Sequence, residues 1–210
     1  KFSQWSGIYG TLILLAALFS GLLPAMEQTW TGHLGASIWI QSGFLCTVAT
    51  LLALFDLPWN FWSQFHLEER FGFNKSNRKL WAVDQLKMFI LGWAIGWPMI
   101  TLLLWIVEKA GDQWWVWAWC VLLVFQIVML ILAPMLILPL FNKLTPLDEG
   151  SLKDRLLLLA GRTGFGMSAI QVMDGSRRSG HSNAFFTGFG KFRRIVLFDT
   201  LIEQLNEREV

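Results

Sequence analysis

The chain has 210 residues, of which 54% are hydrophobic and 15% are charged, and its formal net charge at pH 7 is +2. The charged fraction is well below the roughly 25% of soluble domains and the mean hydropathy is +0.48, so the composition excludes an ordinary soluble domain. Neither the composition nor the net charge indicates a nucleic-acid partner.

Four uncharged runs occupy most of the first two thirds of the chain. Residues 2–26, 34–55, 88–107 and 113–142 contain no Asp, Glu, Lys or Arg. About 20 apolar residues are enough for a helix to cross the hydrocarbon core of a bilayer, so each run predicts a membrane-spanning helix. Four such runs in so short a chain disfavour the alternative, which is a set of buried helices in a large soluble core.

The basic residues orient the predicted bundle. Of the 17 Lys and Arg residues, only Lys109 lies on one predicted side of the membrane, and all the others lie on the opposite side. By the positive-inside rule, the loop at 56–87 and the chain after residue 142 are predicted to be cytoplasmic. The loops at 27–33 and 108–112 are then predicted to face outward.

Beyond the last uncharged run the pattern changes to that of a small folded domain. Residues 149–162 place leucines on one face and charges on the other, which predicts an amphipathic helix. Residues 169–173, 183–187 and 195–198 follow as predicted short strands, the last of them an apolar run suited to burial.

The predicted fold class is therefore mainly α. A polytopic membrane helix bundle with four spans is expected over residues 1–141, with a cytoplasmic loop at 56–87, and a small α+β part is expected over 142–210. Near the end of the chain, Asn206 is followed three residues later by Glu209, a capping pattern that predicts the start of a further helix.

Three polar segments carry a family resemblance. They are Glu68-Glu69-Arg70-Phe71-Gly72-Phe73-Asn74, Phe141-Asn142-Lys143-Leu144-Thr145-Pro146-Leu147, and the stretch from Ser176 to Gly190 with the strand that follows it. In this order they resemble the type I CAAX prenyl proteases, a family of integral-membrane zinc metalloproteases, and together they cover most of the chain. One departure is Phe185, where the family commonly carries Tyr, so a phenolic hydrogen bond cannot form here.

The resemblance implies a gluzincin-like protease domain with zinc as its cofactor. In the family, the next helix carries an H-E-x-x-H motif whose histidines ligate zinc and whose Glu is the general base. The 210 residues contain no such motif, and His33, His66 and His181 have no helical i, i+3 or i, i+4 spacing. We therefore expect the zinc ligands and catalytic residues outside this segment, which we interpret as a fragment of a longer or cleaved enzyme, inactive alone.

The resemblance also implies where substrate binds. In gluzincin-like sites an edge strand pairs with the substrate backbone, and residues 183–187 are the candidate strand. The candidate substrate-binding residues are His181, Asn183, Ala184 and Phe185. A structural role is the alternative for two of them. Asn183 would cap the strand loop, and His181 would hold the loop through a hydrogen bond, since the sequence shows no catalytic partner for it. Glu68, Glu69 and Arg70 are expected to form a surface ion cluster.

The expected function is membrane-embedded zinc endopeptidase activity of the CAAX prenyl protease type. Its expected partners are membrane lipid, a peptide or prenylated protein substrate, and the remaining C-terminal part of the protease, in a bacterial inner membrane or the endoplasmic reticulum membrane. Alternatives are a non-catalytic membrane scaffold and a transporter-like bundle, although the absence of charged residues near the span centres argues against ion coupling.

Overall fold

A computed structural model describes residues 2–164, 166–188 and 193–210. Its α-helices, in chain order, are α1 (Phe2–Phe19), α2 (Leu22–Leu34), α3 (Ile38–Trp62), α4 (Arg78–Lys109), α5 (Trp114–Leu132), α6 (Leu138–Phe141), α7 (Ser151–Thr163) and α8 (Asp199–Gln204). Its strands are β1 (Leu144–Pro146), β2 (Ala169–Met173), β3 (Ala184–Thr187) and β4 (Arg194–Phe198). The predicted fold class, mainly α with a membrane helix bundle followed by a small α+β part, is confirmed.

Within the described residues, three helical segments are long and apolar enough to cross a membrane. They are Ile38–Glu68, Arg78–Lys109 and Gly111–Phe141, and the bent pair α1 and α2 provides a fourth if it counts as one span. Two of these segments contain a π-helical turn, at Ser63–Glu68 and at Ala133–Ile137. The second turn contains Pro134, whose backbone nitrogen carries no hydrogen and therefore cannot donate a helical hydrogen bond.

The first predicted span differs from the structure. A continuous run was predicted over 2–26 and an outward loop over 27–33, but α1 ends at Phe19 and α2 continues to Leu34. The two helices meet at 59° because Gly21 has a φ of 72°, a left-handed conformation that ends the first helix. The absence of charge does not reveal such a bend, because the run stays uncharged on both sides of Gly21.

The segment predicted as the loop 56–87 is mostly helical. Helix α3 and its π-helical turn extend to Glu68, and α4 begins at Arg78. The helices therefore run beyond the uncharged stretches that predicted them, and the segment between them is much shorter than the charge pattern suggested.

The chain divides into two compact units, which are residues 1–67 with 79–121, and residues 68–78 with 122–210. In the first unit, α3 and α4 are joined by a buried polar cluster. The hydroxyl oxygens of Ser42 and Thr101 are 2.7 Å apart, and the Trp97 indole N–H donates to the Ser42 Oγ at 3.0 Å. Ser42 has no exposed surface, so these hydrogen bonds satisfy polar groups that lipid could not.

The second unit contains a four-stranded sheet in the order β1-β2-β4-β3. The strands β2 and β4 are parallel, and the other two pairs are antiparallel. Three of the four strands were predicted within one residue of their observed bounds. The sequence did not predict β1, a three-residue strand that ends in Pro146, or α8, which is one and a half turns long.

The two faces of the sheet have different neighbours. Side chains of one face form a buried cluster, and Leu152 and Leu156 of α7 and residues of α8 pack against it. The members of this cluster are Leu147, Ile170, Ile195 and Leu197, packed against Leu152, Leu156, Met167, Val172, Leu201, Ile202 and Val210. The predicted amphipathic helix at 149–162 corresponds to α7. Packing of Leu152 and Leu156 against the sheet explains its position, whereas Leu157, Leu158 and Leu159 are exposed.

The capping pattern near residue 206 is present. The Asn206 backbone N–H donates to the Glu209 carboxylate at 2.9 Å, and the Arg208 N–H donates to the Asn206 side-chain oxygen at 3.0 Å. This reciprocal arrangement is the one that the sequence predicted.

Candidate functional site

The candidate substrate strand lies at one edge of the sheet. Strand β3 begins at Ala184, one residue later than predicted, and it pairs with β4 alone among the described strands. The Phe198 N–H donates to the Asn183 carbonyl at 3.0 Å, and the register places Phe185 opposite Val196. Since antiparallel hydrogen bonding alternates along a strand, the backbone groups of Ala184 point away from β4.

Asn183 uses part of its side chain locally. Its Oδ1 accepts a hydrogen bond from the Ala184 N–H at 2.8 Å, and the residue is exposed. The outward-pointing amide of Ala184 is therefore covered by the neighbouring side chain. The structure shows this local contact for Asn183, and both the capping and the substrate-binding interpretations remain compatible with it.

Phe185 holds the strand against the sheet. Its ring packs edge to face on Phe198, with ring centroids 6.2 Å apart and 81° between the planes. Burial alternates along the strand, since Phe185 and Thr187 are half-buried whereas Ala184 and Phe186 are exposed. The phenyl ring at this position thus has a packing role that needs no hydroxyl group.

The loop that precedes β3 is anchored by α8. The carboxylate of Asp199 accepts hydrogen bonds from the Ser176 N–H, at 2.8 Å, and from the Ser176 hydroxyl. The hydroxyl of Thr200, a buried residue, donates to the His181 carbonyl at 2.9 Å. Gln204 then donates from Nε2 to the Gly180 carbonyl at 3.2 Å and accepts from the Ser182 hydroxyl. These contacts fix the start of the candidate strand.

A second segment, residues 68–75, pairs with the same loop. The Gly180 N–H donates to the Phe73 carbonyl at 2.8 Å, and the Lys75 N–H donates to the Arg178 carbonyl at 3.1 Å. Asn74 and Ser179 form an isolated antiparallel bridge between the two segments. Two of the three segments that suggested the family are therefore in direct contact.

His181 has a partner that the sequence did not suggest. Its Nε2 is 3.2 Å from a carboxylate oxygen of Glu68, and its ring stacks on Phe73 with centroids 4.0 Å apart. The expected ion cluster of Glu68, Glu69 and Arg70 takes a different form, because Glu69 accepts a hydrogen bond from the Asn74 side chain at 2.6 Å. Each Glu thus stabilises the loop through a polar partner other than its neighbour Arg70.

The described residues do not form a metal centre. Within residues 2–164, 166–188 and 193–210, no group of three or more His, Cys, Asp or Glu side chains could hold a metal ion. The donor set around His181 consists of one imidazole and the Glu68 carboxylate, which are fewer ligands than a zinc site requires.

Comparison with known proteins identifies the family that the three sequence segments suggested. Residues 1–143 match the family described as CAAX prenyl protease N-terminal, five membrane helices, and residues 146–210 match Peptidase family M48. The chain belongs to the CAAX prenyl protease family. It is a multi-pass membrane protein of this family, and membership implies a metal cofactor.

Individual relatives agree with this assignment. The CAAX prenyl protease 1 homolog of Homo sapiens is 39% identical over 97% of this chain and 44% of its own length. CAAX prenyl protease 1 of Saccharomyces cerevisiae is 38% identical over 100% of this chain and 49% of its own length. The crystal structure of S. mikatae Ste24p superimposes with a TM-score of 0.90 at 40% identity, covering 97% of this chain and 49% of that chain.

The chain thus spans about half the length of the curated relatives that it matches. None of these similarities supports the transporter-like or scaffold alternatives. The structure brings the predicted residues His181, Asn183, Ala184 and Phe185 into one ordered stretch, and it adds Glu68, Phe73 and Thr200 as contacts of that stretch. Those contacts join residues distant in sequence, so no local sequence pattern could reveal them.

Proposed function

We propose that the complete protein is a membrane-embedded zinc metalloendopeptidase that cleaves prenylated or other membrane-associated substrates. Family membership supports the class of activity, and the position of β3 supports the mode of binding. The observation that carries the proposal is that β3, which the family resemblance assigns to substrate, is an edge strand.

In this proposal the substrate backbone adds to the sheet along β3. Ala184 presents its backbone groups on the side away from β4, which is the side that an added strand would use. Asn183 covers the Ala184 amide when no substrate is bound, and its side chain moves to the peptide when the substrate arrives. Phe185, packed on Phe198, and the hydrogen bonds from α8 keep the strand extended and ready for pairing.

His181 has a positioning role in this proposal. Its carbonyl accepts from Thr200, and its ring lies between the loop before β3 and the segment at residues 68–75. Because these two segments are held together, the backbone enters β3 in a fixed direction and Asn183 is held at the start of the strand. The zinc ligands and the general base are assigned to the C-terminal part of the complete protease, and zinc would supply Lewis-acid activation there.

We also propose that the protease part faces the cytoplasm of a bacterial inner membrane or endoplasmic reticulum membrane. The support is the charge asymmetry around Lys109, together with the basic residues of the second unit. Prenylated substrates carry an apolar group that favours membrane partition, which brings them to an enzyme embedded in the bilayer.

The activity is tested on the full-length protein in proteoliposomes. Cleavage of a farnesylated CAAX peptide is measured beside the same peptide without the farnesyl group, before and after chelation. We expect cleavage that chelation abolishes and that stoichiometric Zn²⁺ restores, with the farnesylated peptide cleaved faster. A zinc-free preparation that retains full cleavage would rule out the metalloendopeptidase. Equal rates for both peptides would remove the prenyl preference alone.

A further inference from the structure

The face of the sheet opposite α7 and α8 borders a cavity. This cavity has a volume of about 410 Å³ and lies between the sheet and the end of α5 with its π-helical turn. Ile131, Pro134 and Met135 come from the helical segment. Leu144, Gln171, Thr187 and Arg194 come from the strands, and Gly188 directly follows β3. All these residues belong to the second unit.

Strand pairing places the lining residues on one face. Thr187 and Arg194 are directly opposite each other in the β3–β4 pair, and Arg194 is opposite Ala169 in the β2–β4 pair. Gln171 lies two residues beyond Ala169, and side chains two residues apart in a strand share a face. The arrangement is therefore a property of the sheet register rather than of individual side-chain conformations.

The helical wall of the cavity is apolar and belongs to a membrane-crossing segment. Ile131 and Met135 lie in Gly111–Phe141, the third segment that is long and apolar enough to span a bilayer. Both side chains are substantially exposed, and Pro134 interrupts the helical hydrogen bonding beside them. A hydrocarbon chain in the surrounding lipid would meet this wall without leaving an apolar environment.

The wall formed by the sheet carries polar groups that have no partner among the described residues. Gln171 Oε1 and Thr187 Oγ1 are buried atoms that lack a hydrogen-bond partner among the described residues. Arg194, half-buried at the same cavity, has no ion pair or hydrogen bond from its guanidinium group to any described residue. A buried acceptor, a buried hydroxyl and an unpaired cation are each costly unless something else satisfies them.

We propose that this cavity binds an acidic phospholipid. Its acyl chain lies against Ile131 and Met135, and its phosphate accepts hydrogen bonds from Arg194 and from the Thr187 hydroxyl. An ammonium or hydroxyl group of the head donates to Gln171 Oε1. Phosphatidylserine carries each of these groups, whereas phosphatidylcholine has the phosphate but neither an N–H nor an O–H donor in its head. Charge complementarity at Arg194 favours the lipid that is net anionic.

The proposal is tested with two photoactivatable lipids. The intact protein is placed in phosphatidylcholine nanodiscs that contain a trace of phosphatidylserine or of phosphatidylcholine with the same diazirine-labelled acyl chain. We expect phosphatidylserine to label peptides containing Ile131, Met135 or Leu144 in preference to phosphatidylcholine. Arg194→Gln should lower this preference about fivefold, as expected for one basic residue near a charged lipid surface. Arg194→Lys should retain most of it.

A matched control separates this site from general surface attraction. Arg162 is an exposed basic residue at the end of α7 and does not line the cavity, so Arg162→Gln should leave the labelling preference unchanged. Gln171→Met keeps the size of the side chain but removes the buried acceptor. In pure phosphatidylcholine this variant should melt at or above the wild-type temperature, and addition of phosphatidylserine should raise the melting temperature less than it does for wild type.

Three results would overturn the proposal. One is equal labelling of the cavity by both lipids in the wild-type protein, and another is an unchanged preference after Arg194→Gln. The third is labelling of the same residues by a photoactivatable CAAX peptide that phosphatidylserine fails to displace, which would assign the cavity to peptide. Because lipid labelling does not require proteolysis, these results are distinguishable from failure of the proposed enzyme activity.

Discussion

The imidazole of His181 stacks on the phenyl ring of Phe73, with ring centroids 4.0 Å apart and 20° between the planes. The contact joins a segment between two membrane helices to the loop that precedes the edge strand. The Glu68 carboxylate, 3.2 Å from His181 Nε2, adds a polar contact at the same place. Since both side chains of this polar pair are partly exposed, we assign more of the stabilisation to the ring contact than to the polar contact.

Replacing Phe73 should loosen the loop before β3. An aromatic contact of this kind is worth about 0.5–1.5 kcal/mol, so Phe73→Ala should raise the population of the opened loop about fivefold. Trypsin cleavage after Arg177 or Arg178, measured under native conditions, reports that opening. Phe71→Ala is the matched control, because Phe71 is exposed in the same segment and makes no ring contact among the described residues. Equal cleavage rates for the two variants would contradict the assigned role of Phe73.

Gly175 should not tolerate a side chain. A Cβ atom at this position would lie 2.6 Å from Cδ2 of Phe198, in a region where Phe198 also contacts Phe185. We expect Gly175→Ala to destabilise the protein by about 1–3 kcal/mol, through overpacking. Gly161, in the last part of α7, has open space around it, so Gly161→Ala should leave stability unchanged or raise it by up to about 1 kcal/mol. Denaturation of both variants in the same detergent checks the prediction.

The hydroxyl pair between α3 and α4 should be energetically coupled. Ser42→Ala and Thr101→Val each remove one partner of the 2.7 Å contact, and a double-mutant cycle isolates their interaction. Interhelical hydrogen bonds of this kind contribute about 0.6 kcal/mol on average in membrane proteins, so we expect a coupling of about that size. Thr47 donates to Gly43 within its own helix, so a cycle between Thr47→Ala and Thr101→Val should show no coupling.

The sequence predicted those elements whose signal is local. Strand β2 has the predicted bounds because its apolar and polar residues are flanked by turn residues. The continuous apolar run predicted β4, which begins one residue earlier than that run, at Arg194. Strand β1 was missed, since three residues that include Pro146 carry too little pattern, and α8 was missed because one and a half turns give no helical period.

The contacts of the candidate site could not be predicted in the same way. Glu68 and His181 are 113 residues apart, and only the folded arrangement of two loops brings them together. The bend at Gly21 was not predicted from the uncharged run, because hydropathy measures how apolar a segment is but not the direction of its backbone. Family resemblance identified the stretch that contains Asn183, whereas the hydrogen bond from Ala184 to its Oδ1 depends on the observed strand geometry.

The orientation in the membrane is testable by cysteine labelling. We expect cysteines on either side of α4 to react from opposite faces of an oriented membrane, with residue 76 cytoplasmic, because Lys109 is the one basic residue on the predicted outer side. Gly111 has a φ of 56°, so Asp112→Cys is a better outer probe than a cysteine at residue 111. Cys46 and Cys120 are free cysteines and must first be replaced by Ala. Reaction of both probes from the cytoplasmic side would contradict the proposed topology.

Asn183 offers the sharpest test of the substrate strand in the complete enzyme. Its Oδ1 accepts from the Ala184 N–H, so loss of activity in Asn183→Ala alone would not distinguish strand capping from substrate binding. Asn183→Asp retains an oxygen that can accept from Ala184 but removes the amide N–H donors. If the amide group donates to the peptide, both variants should lose about tenfold or more in kcat/KM with little change in melting temperature, because a lost hydrogen bond costs about 0.5–1.5 kcal/mol and misplacement of the peptide adds to it. If Asn183 only caps the strand, Asn183→Asp should restore both stability and activity, whereas Asn183→Ala should lose activity only in proportion to folded protein. Zinc content, melting temperature and kinetics measured on the same preparations separate these outcomes, and wild-type kinetics for Asn183→Asp would remove Asn183 from the substrate site.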